Sequence, residues 1–324
     1  MLRVGYPATI PAEFLSAFPP EVELVALPDD LDRETAIDVW LPDPYTPKAL
    51  RLWPHLRGVK LVLSLMAGTE WIPGTVGPGV TICSGRGAHS PSTAEWAVSA
   101  TLAMLKHFPF YFDLQQSGVW KKRFEMPARY AAISGDQRPL YPPVMLEELH
   151  GKRVLLVGYG SIGQQIAHLL AAFDVDLTIV ARHARTEPVV HAIDELDALL
   201  PKTEVVILIL PLTAESKQLL GKRQFNLLPQ GALVVNAARG GVIDTDALVA
   251  ALQSGKIRAA LDVTDPEPLP EDHPLWHCPN LMITPHVAGS TPQFSPRACK
   301  VAAEELVRYM KGEPLLNQVP NPAQ

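Results

Sequence analysis

Cysteine is scarce: the 324-residue chain has three, Cys83, Cys278 and Cys299. An odd number without short spacing excludes a disulfide framework and a zinc cluster. No apolar run reaches the roughly 20 residues that a membrane span needs. The opening Met1–Pro7 reads as a strand, not as a signal peptide. A basic run is also absent. Lys and Arg number 28 against 34 Asp and Glu, a net charge of −6, so neither nucleic acid nor a membrane surface is expected as a partner. No internal repeat of solenoid period appears, and the 32 prolines are scattered among turns. What remains, at 47% apolar and 19% charged residues, is a globular chain long enough for two domains, with a cytoplasmic enzyme as the default expectation.

The most informative stretch is 151–185. Val154–Val157 is a short apolar run that reads as a buried parallel strand. It ends in Gly158-Tyr159-Gly160-Ser161-Ile162-Gly163, after which Ile166, Leu169, Leu170 and Phe173 fall at helical spacing. Leu177–Ala181 reads as the next strand. A strand, a glycine turn, a helix and a strand together give a GxGxxG pattern its meaning. Gly158 permits the tight turn, Gly160 lets the backbone approach a pyrophosphate, and Gly163 lets the helix pack close. The helix N-terminus offers N–H groups to the phosphates.

The end of the second strand carries a further signal. An NAD-preferring site has an acid there to meet the ribose 2′-OH. Here the sequence runs Ala181-Arg182-His183-Ala184-Arg185, without an acid. Arg182 suits a 2′-phosphate through a charge-assisted fork, and Arg185 suits the same group. The expected cofactor is NADP(H), with NAD(H) possible. The bland reading is that both arginines merely solvate a loop.

Before this unit, Leu2–Tyr6, Val22–Ala26, Ile37–Leu41, Leu61–Leu65 and Val80–Cys83 are runs of strand length, with helices expected at Ala12–Phe18 and Lys48–Trp53. Alternating strands and helices imply a second parallel sheet. Met66-Ala67-Gly68-Thr69 follows one of its strands and reads either as an anion-binding turn or as a plain loop. Ser92 and Glu95 fit a capping box opening a long helix to about Gln116, a bridge between domains. Residues 117–150 show no periodicity. They read equally well as a border of the active-site cleft or as an interface arm.

After it, strands are expected at Val205–Leu210, Leu233–Asn236 and Ala259–Val263, with a helix at Asp244–Ser254. Pro211 ends the first ladder, and the backbone through Thr213 can run along a cofactor. Three polar residues follow strand ends on the face of the glycine turn. These are Arg239 beside two glycines, Glu267 between Pro266 and Pro268, and His286 in Thr284-Pro285-His286-Val287-Ala288-Gly289. Singly, each has an ordinary structural explanation. Together they supply an anion clamp, an acid and a proton carrier.

These stretches, with Glu148–Gly163, Leu210–Thr213, Asn236–Asp244, Ala260–Pro268 and Pro285–Gly289, resemble the D-isomer-specific 2-hydroxyacid dehydrogenase family. The resemblance implies an α/β protein of two Rossmann-like, doubly wound parallel-sheet domains. The NAD(P)-binding domain (99–288) would be inserted into a discontinuous, flavodoxin-like substrate domain (1–98 and 289–324). It implies that His286 exchanges a proton with the substrate oxygen, that Glu267 fixes its tautomer and favours the imidazolium, and that Arg239 binds the 2-oxo group and carboxylate. Met66, Ala67 and Gly68 would hold the carboxylate through backbone amides. Asp262 would meet the nicotinamide carboxamide. Tyr159, Ser161, Ile162, Thr93, Ala237 and Gly289 would complete the cofactor contacts, along with Arg239 and His286. No metal is implied, and a homodimer is. Residues 124–144 look like an insertion, Thr264 stands where an aromatic is common, and Met66–Trp71 departs from the usual glycine-rich turn. The Arg182 pattern resembles the NADPH-dependent glyoxylate and hydroxypyruvate reductases, so the expected reaction is reduction of a small 2-oxo acid to a D-2-hydroxy acid. The alternatives are an NAD-using 3-phosphoglycerate or phosphite oxidiser, and a dinucleotide-sensing regulator like the carboxy-terminal binding protein co-repressors.

Overall fold

The computed structural model describes every residue except 44–45, 70, 137, 139–141 and 322–324, and leaves the Thr46 side chain undescribed. The omissions touch three expectations: the 66–71 turn at Glu70, the 124–144 stretch, and the end of the C-terminal tail. The chain forms two compact units, Met1–Ser90 with Ser290–Gln324, and Pro91–Gly289.

In the first unit, β1 (Arg3–Pro7), β2 (Glu23–Leu27), β4 (Val39–Trp40), β6 (Leu61–Leu63) and β7 (Thr81–Cys83) form a parallel sheet in the order β2-β1-β4-β6-β7. β3 (Thr35–Ala36) and β5 (Leu56–Arg57) pair separately. Counting only the five long-range strands, the order is 2-1-3-4-5, the flavodoxin-like winding. A C-terminal strand, Gln318–Val319, closes the edge antiparallel to β7. The helix Phe294–Lys311 buries Ala298, Cys299, Ala302, Ala303 and Leu306 against Val4, Val39, Leu61 and Leu63. The C-terminal segment thus completes this unit, as a discontinuous domain requires.

The second unit is one parallel sheet of seven strands. They are β8 (Arg153–Val157), β9 (Asp176–Ala181), β10 (His191–Ala192), β11 (Val205–Leu208), β12 (Ala232–Asn236), β13 (Ile257–Leu261) and β14 (Leu281–Ile283), in the order β10-β9-β8-β11-β12-β13-β14. The winding reverses between β8 and β11, the switch point at which open α/β sheets bind ligands. β11, β12 and β13 are buried at every position, as strands covered on both faces must be.

Two helical expectations are corrected. The helix after β7, Ser90–Leu105, starts before Ser92, so Ser92 lies within its first turn and is not a cap. It does not run to Gln116. His107 takes a left-handed φ of 52°, and a second helix, Phe108–Ser117, restarts with Pro109 in its first turn. Ala94, Ala97, Val98, Met104 and Leu105 pack against Val154, Leu156 and Val205, so the first helix goes with the second unit and the division falls at 90/91, ahead of the expected 98/99. Residues 117–150 contain a 3-10 helix, Trp120–Glu125, and an α-helix, Met126–Ser134.

Candidate functional site

The glycine turn leaves β8 with Gly158 at φ 112°, its amide donating to Val180 O at 2.8 Å. The three glycines differ in what a side chain would meet. At Gly158 a Cβ would lie 2.3 Å from Ile209 O, and at Gly163 it would lie 2.3 Å from Gly158 O. At Gly160 it would meet nothing within 4 Å. Two glycines are therefore demanded by packing. The third faces open space at the N-terminus of helix Ser161–Leu170, where unpaired N–H groups and the helix dipole favour an anion. Tyr159, Ser161 and Ile162 are half-buried around it. These residues fit a dinucleotide pyrophosphate.

Arg182 is exposed just past β9. The Glu215 carboxyl is held below its ordinary value by a hydrogen bond from the Thr213 hydroxyl, by its own amide, and then by the positive charge of Arg182. Arg182 and the 211–217 loop thus share one neighbourhood. Ser216 ties that loop, its hydroxyl donating to Pro211 O at 2.7 Å and accepting from Thr213 N at 2.7 Å. Arg185 lies in a tight hairpin, its amide donating to Val190 O at 2.9 Å, and is exposed.

Arg239, Glu267 and His286 stand on three turns that follow the neighbouring strands β12, β13 and β14. The first turn is set by Asn236, 1% exposed. Its Oδ1 accepts from Ala238 N and its Nδ2 donates to Arg239 O, both at 3.0 Å, with Ala237 half-buried between. Gly240 lies so close to Thr264 O that a Cβ there has no room. The Glu267 loop is braced by Thr245 Oγ1 donating to Asp265 O at 2.7 Å and Thr264 Oγ1 donating to Pro266 O at 2.9 Å. The Asp265–Pro266 and Glu267–Pro268 bonds are both cis. His286 Nδ1 and Glu267 Oε1 lie 2.5 Å apart, with side chains 49% and 40% exposed. With Glu267 ionised, Nδ1 is the donor and Nε2 is the nitrogen left for chemistry.

Asp262, 3% exposed, sits where β13 ends. Its carboxylate accepts from Thr284 Oγ1 at 2.6 Å, Val287 N at 2.9 Å and Ala288 N at 2.9 Å. Sequence reasoning missed Asn236, Thr245, Ser216 and Thr284. The one available signal was a polar residue closing an otherwise apolar strand, as at Asn236. Thr93 is buried in the first turn of helix Ser90–Leu105, and Gly289 ends the second unit. Met66, Ala67 and Gly68 lie in the first unit after β6. Met66 N donates to Ser64 Oγ at 3.1 Å, and Met66 O accepts from Gly85 N at 2.7 Å.

Comparison with known proteins adds to this geometry. A family model described as "D-isomer specific 2-hydroxyacid dehydrogenase, NAD binding domain" matches residues 98–288. The chain is 33% identical over 247 residues to a glyoxylate reductase of Thermofilum pendens, covering 75% of this chain and 68% of that one. It is 31% identical over 249 residues to a D-3-phosphoglycerate dehydrogenase of Archaeoglobus fulgidus, covering 76% of this chain but 44% of the relative. A solved D-isomer specific 2-hydroxyacid dehydrogenase of Xanthobacter autotrophicus, in complex with NADPH and MES, superposes with a TM-score of 0.77 at 27% identity, over 99% of this chain and 98% of that one.

Proposed function

Because the chain belongs to the D-isomer-specific 2-hydroxyacid dehydrogenase family, an oxidoreductase family, we propose that it reduces a small 2-oxo acid to the D-2-hydroxy acid with NADP(H). The observation that carries the reading is the His286–Glu267 pair at 2.5 Å, at the strand ends where the glycine turn also lies. Bound nicotinamide cofactor supplies the hydride. The chain's own residues do the rest. Gly160 and the helix N-terminus receive the pyrophosphate. Arg182 meets the 2′-phosphate, joined by Arg185. Arg239 binds the substrate carboxylate and polarises the carbonyl. His286 delivers the proton from Nε2, while Glu267 holds Nδ1–H and steadies the charged ring. Met66, Ala67 and Gly68 belong to the same proposal as a carboxylate-binding turn. So does a homodimer, a reading supported by the exposed Phe112, Trp120 and Phe124 side chains.

The test is the initial rate of NADPH and NADH consumption with glyoxylate, hydroxypyruvate, pyruvate and a bulky 2-oxo acid. A preference for NADPH of at least about tenfold, some 1.4 kcal/mol, is expected with a small acid. Equal use of both cofactors would remove the 2′-phosphate clamp and keep the chemistry. Absence of turnover with any acid would remove the reaction.

A further inference from the structure

At the end of the second sheet away from the glycine turn, a cavity of about 320 Å³ opens beside the break at His107. Its walls come from His107 itself, from the helices Phe108–Ser117 and Met126–Ser134, and from the starts of β13 and β14. Arg258 is the second residue of β13, and four strand steps of about 3.3 Å separate it from Asp262 at the far end. The basic groups here have donors to spare. Arg258, 4% exposed, donates from Nε to Gly231 O at 3.0 Å and from Nη1 to Glu147 Oε1 at 2.6 Å, while its Nη2 bonds to no described residue. A buried guanidinium with an unused donor costs free energy unless something accepts from it. His107, 6% exposed, has its Nε2 buried without a hydrogen bond, 3.4 Å from Glu147 Oε1. With Nε2 turned to that carboxylate, Nδ1 is the ring nitrogen left for a ligand. Arg129 is exposed; its Cζ lies 4.9 Å over the Phe110 ring, and it pairs with no described carboxylate.

The surrounding charges favour an anion. Glu147 is met by Arg258 and by Lys152 at 3.4 Å, and its carbonyl accepts from Lys106 Nζ at 2.5 Å. Among the described lining residues Asp113 is the one acid, against Arg129 and Arg258, and burial pushes the Cys278 thiol up, so it stays neutral. We infer that this cavity binds a phosphate-type oxyanion, free or as a small monoester, held by Arg258, His107 and Arg129. Donors converging from three separate elements suit a tetrahedral group, and the apolar Met104, Phe110, Ile133 and Leu281 side chains leave room beside it for a carbon chain. The ring proton is coupled to the ligand. Burial pushes the imidazole down to about 4, with Glu147 opposing and Arg258 and Arg129 reinforcing; an anion beside the ring offsets both arginines and favours the imidazolium, which then bonds Glu147 through Nε2 and the ligand through Nδ1. The inference does not depend on the proposed reaction.

The experiment follows the ¹H–¹⁵N spectrum of the histidine rings in the full chain during titration with sulfate, a tetrahedral oxyanion that stays a dianion across the pH range used. Sodium chloride holds the ionic strength constant, so that screening does not change. His107→Asn identifies the His107 signal, because asparagine tolerates the left-handed φ of 52° at this position. That signal should shift saturably with sulfate. Binding should be about tenfold tighter near pH 5 than near pH 7.5, since the anion and the ring proton favour each other. Arg129→Gln, at an exposed position, should weaken binding at least about fivefold through the loss of a charge-assisted hydrogen bond. Inorganic phosphate and glycerol phosphate, titrated in parallel at the higher pH, separate the two sources: tighter binding of the ester assigns the site to a monoester, and any other order assigns it to the free anion. The inference falls if the His107 signal answers sulfate no more than it answers chloride. It falls equally if binding is the same at both pH values, or if Arg129→Gln binds sulfate as tightly as the unsubstituted chain.

Discussion

Two glycines of one motif should answer the same substitution in opposite ways. Gly160 has φ −81° and ψ −163°, extended backbone open to alanine, and an added Cβ meets nothing within 4 Å. Alanine there removes about 0.4–1 kcal/mol of unfolded-state freedom and costs a similar amount as a poorer helix cap than glycine. The net effect on stability is within about 0.5 kcal/mol. A methyl on the one open side, however, stands where a pyrophosphate must approach the backbone, and dinucleotide affinity should fall at least tenfold, about 1.4 kcal/mol. Gly163 is the reverse case. Its Cβ would lie 2.3 Å from Gly158 O and 3.4 Å from Ile209 Cγ2, and a backbone carbonyl cannot swing aside as a side chain can. Forcing helix from strand costs about 1–3 kcal/mol, against roughly 1 kcal/mol gained in helix propensity. The assay pairs urea denaturation with an NADPH fluorescence titration. Gly160→Ala should keep its urea midpoint and lose binding; Gly163→Ala should lose midpoint. If Gly160→Ala binds NADPH as tightly as the unsubstituted chain, the open side of the turn is not the dinucleotide site. Equal midpoint losses would refute the contact reasoning.

Arg182→Asp should reverse cofactor choice, lowering kcat/KM with NADPH by at least about tenfold while leaving NADH unchanged or better, because an acid there meets a ribose diol and repels a 2′-phosphate; parallel initial rates check it. Glu267→Gln keeps an acceptor for His286 Nδ1 but removes its charge, so 2-oxo acid reduction at neutral pH should fall at least about tenfold with NADPH binding intact by titration. His107 is 6% exposed and burial pushes its imidazole down from 6.5 to about 4, with Glu147 opposing and Arg258 and Arg129 reinforcing. The folded state therefore resists protonation that the unfolded chain accepts. The contribution is fully present above about pH 6.5 and lost as pH falls toward 4, up to about 3 kcal/mol; urea midpoints across that range should drop steeply, and His107→Gln should flatten the drop.

The long strands of the second sheet were legible because burial on both faces leaves unbroken apolar runs, as in Val205–Leu208. β10 and the C-terminal Gln318–Val319 are two-residue ladders, too short to show any period. The expected helix to about Gln116 covers most of Phe108–Ser117 but misses the break before it, because Phe108–Ser117 buries no residue and its apolar side chains mark no inward stripe whose phase could shift. The break at His107 is tertiary: its Nε2 lies 3.4 Å from Glu147 Oε1, and Glu147 in turn accepts from Arg258 at 2.6 Å, partners no local window contains.

The site divides along the same line. Arg239, Glu267 and His286 were visible as polar residues after apolar strands, where a parallel sheet gathers them whatever its details. Thr284 and Asn236 were not, because each looks like an ordinary strand-end residue until the register is known. Leu261 pairs with Asn236 on one side and Ile283 on the other. That pairing alone brings Asp262 N to Asn236 O and Thr284 Oγ1 to Asp262 Oδ1. A slip of one residue would turn Thr284 to the opposite face of the sheet and leave Asp262 without its hydroxyl donor. Residues proposed for the chemistry stand out by type and place along the chain, whereas the side chains bonded beneath them are found only once the neighbouring strand is in register.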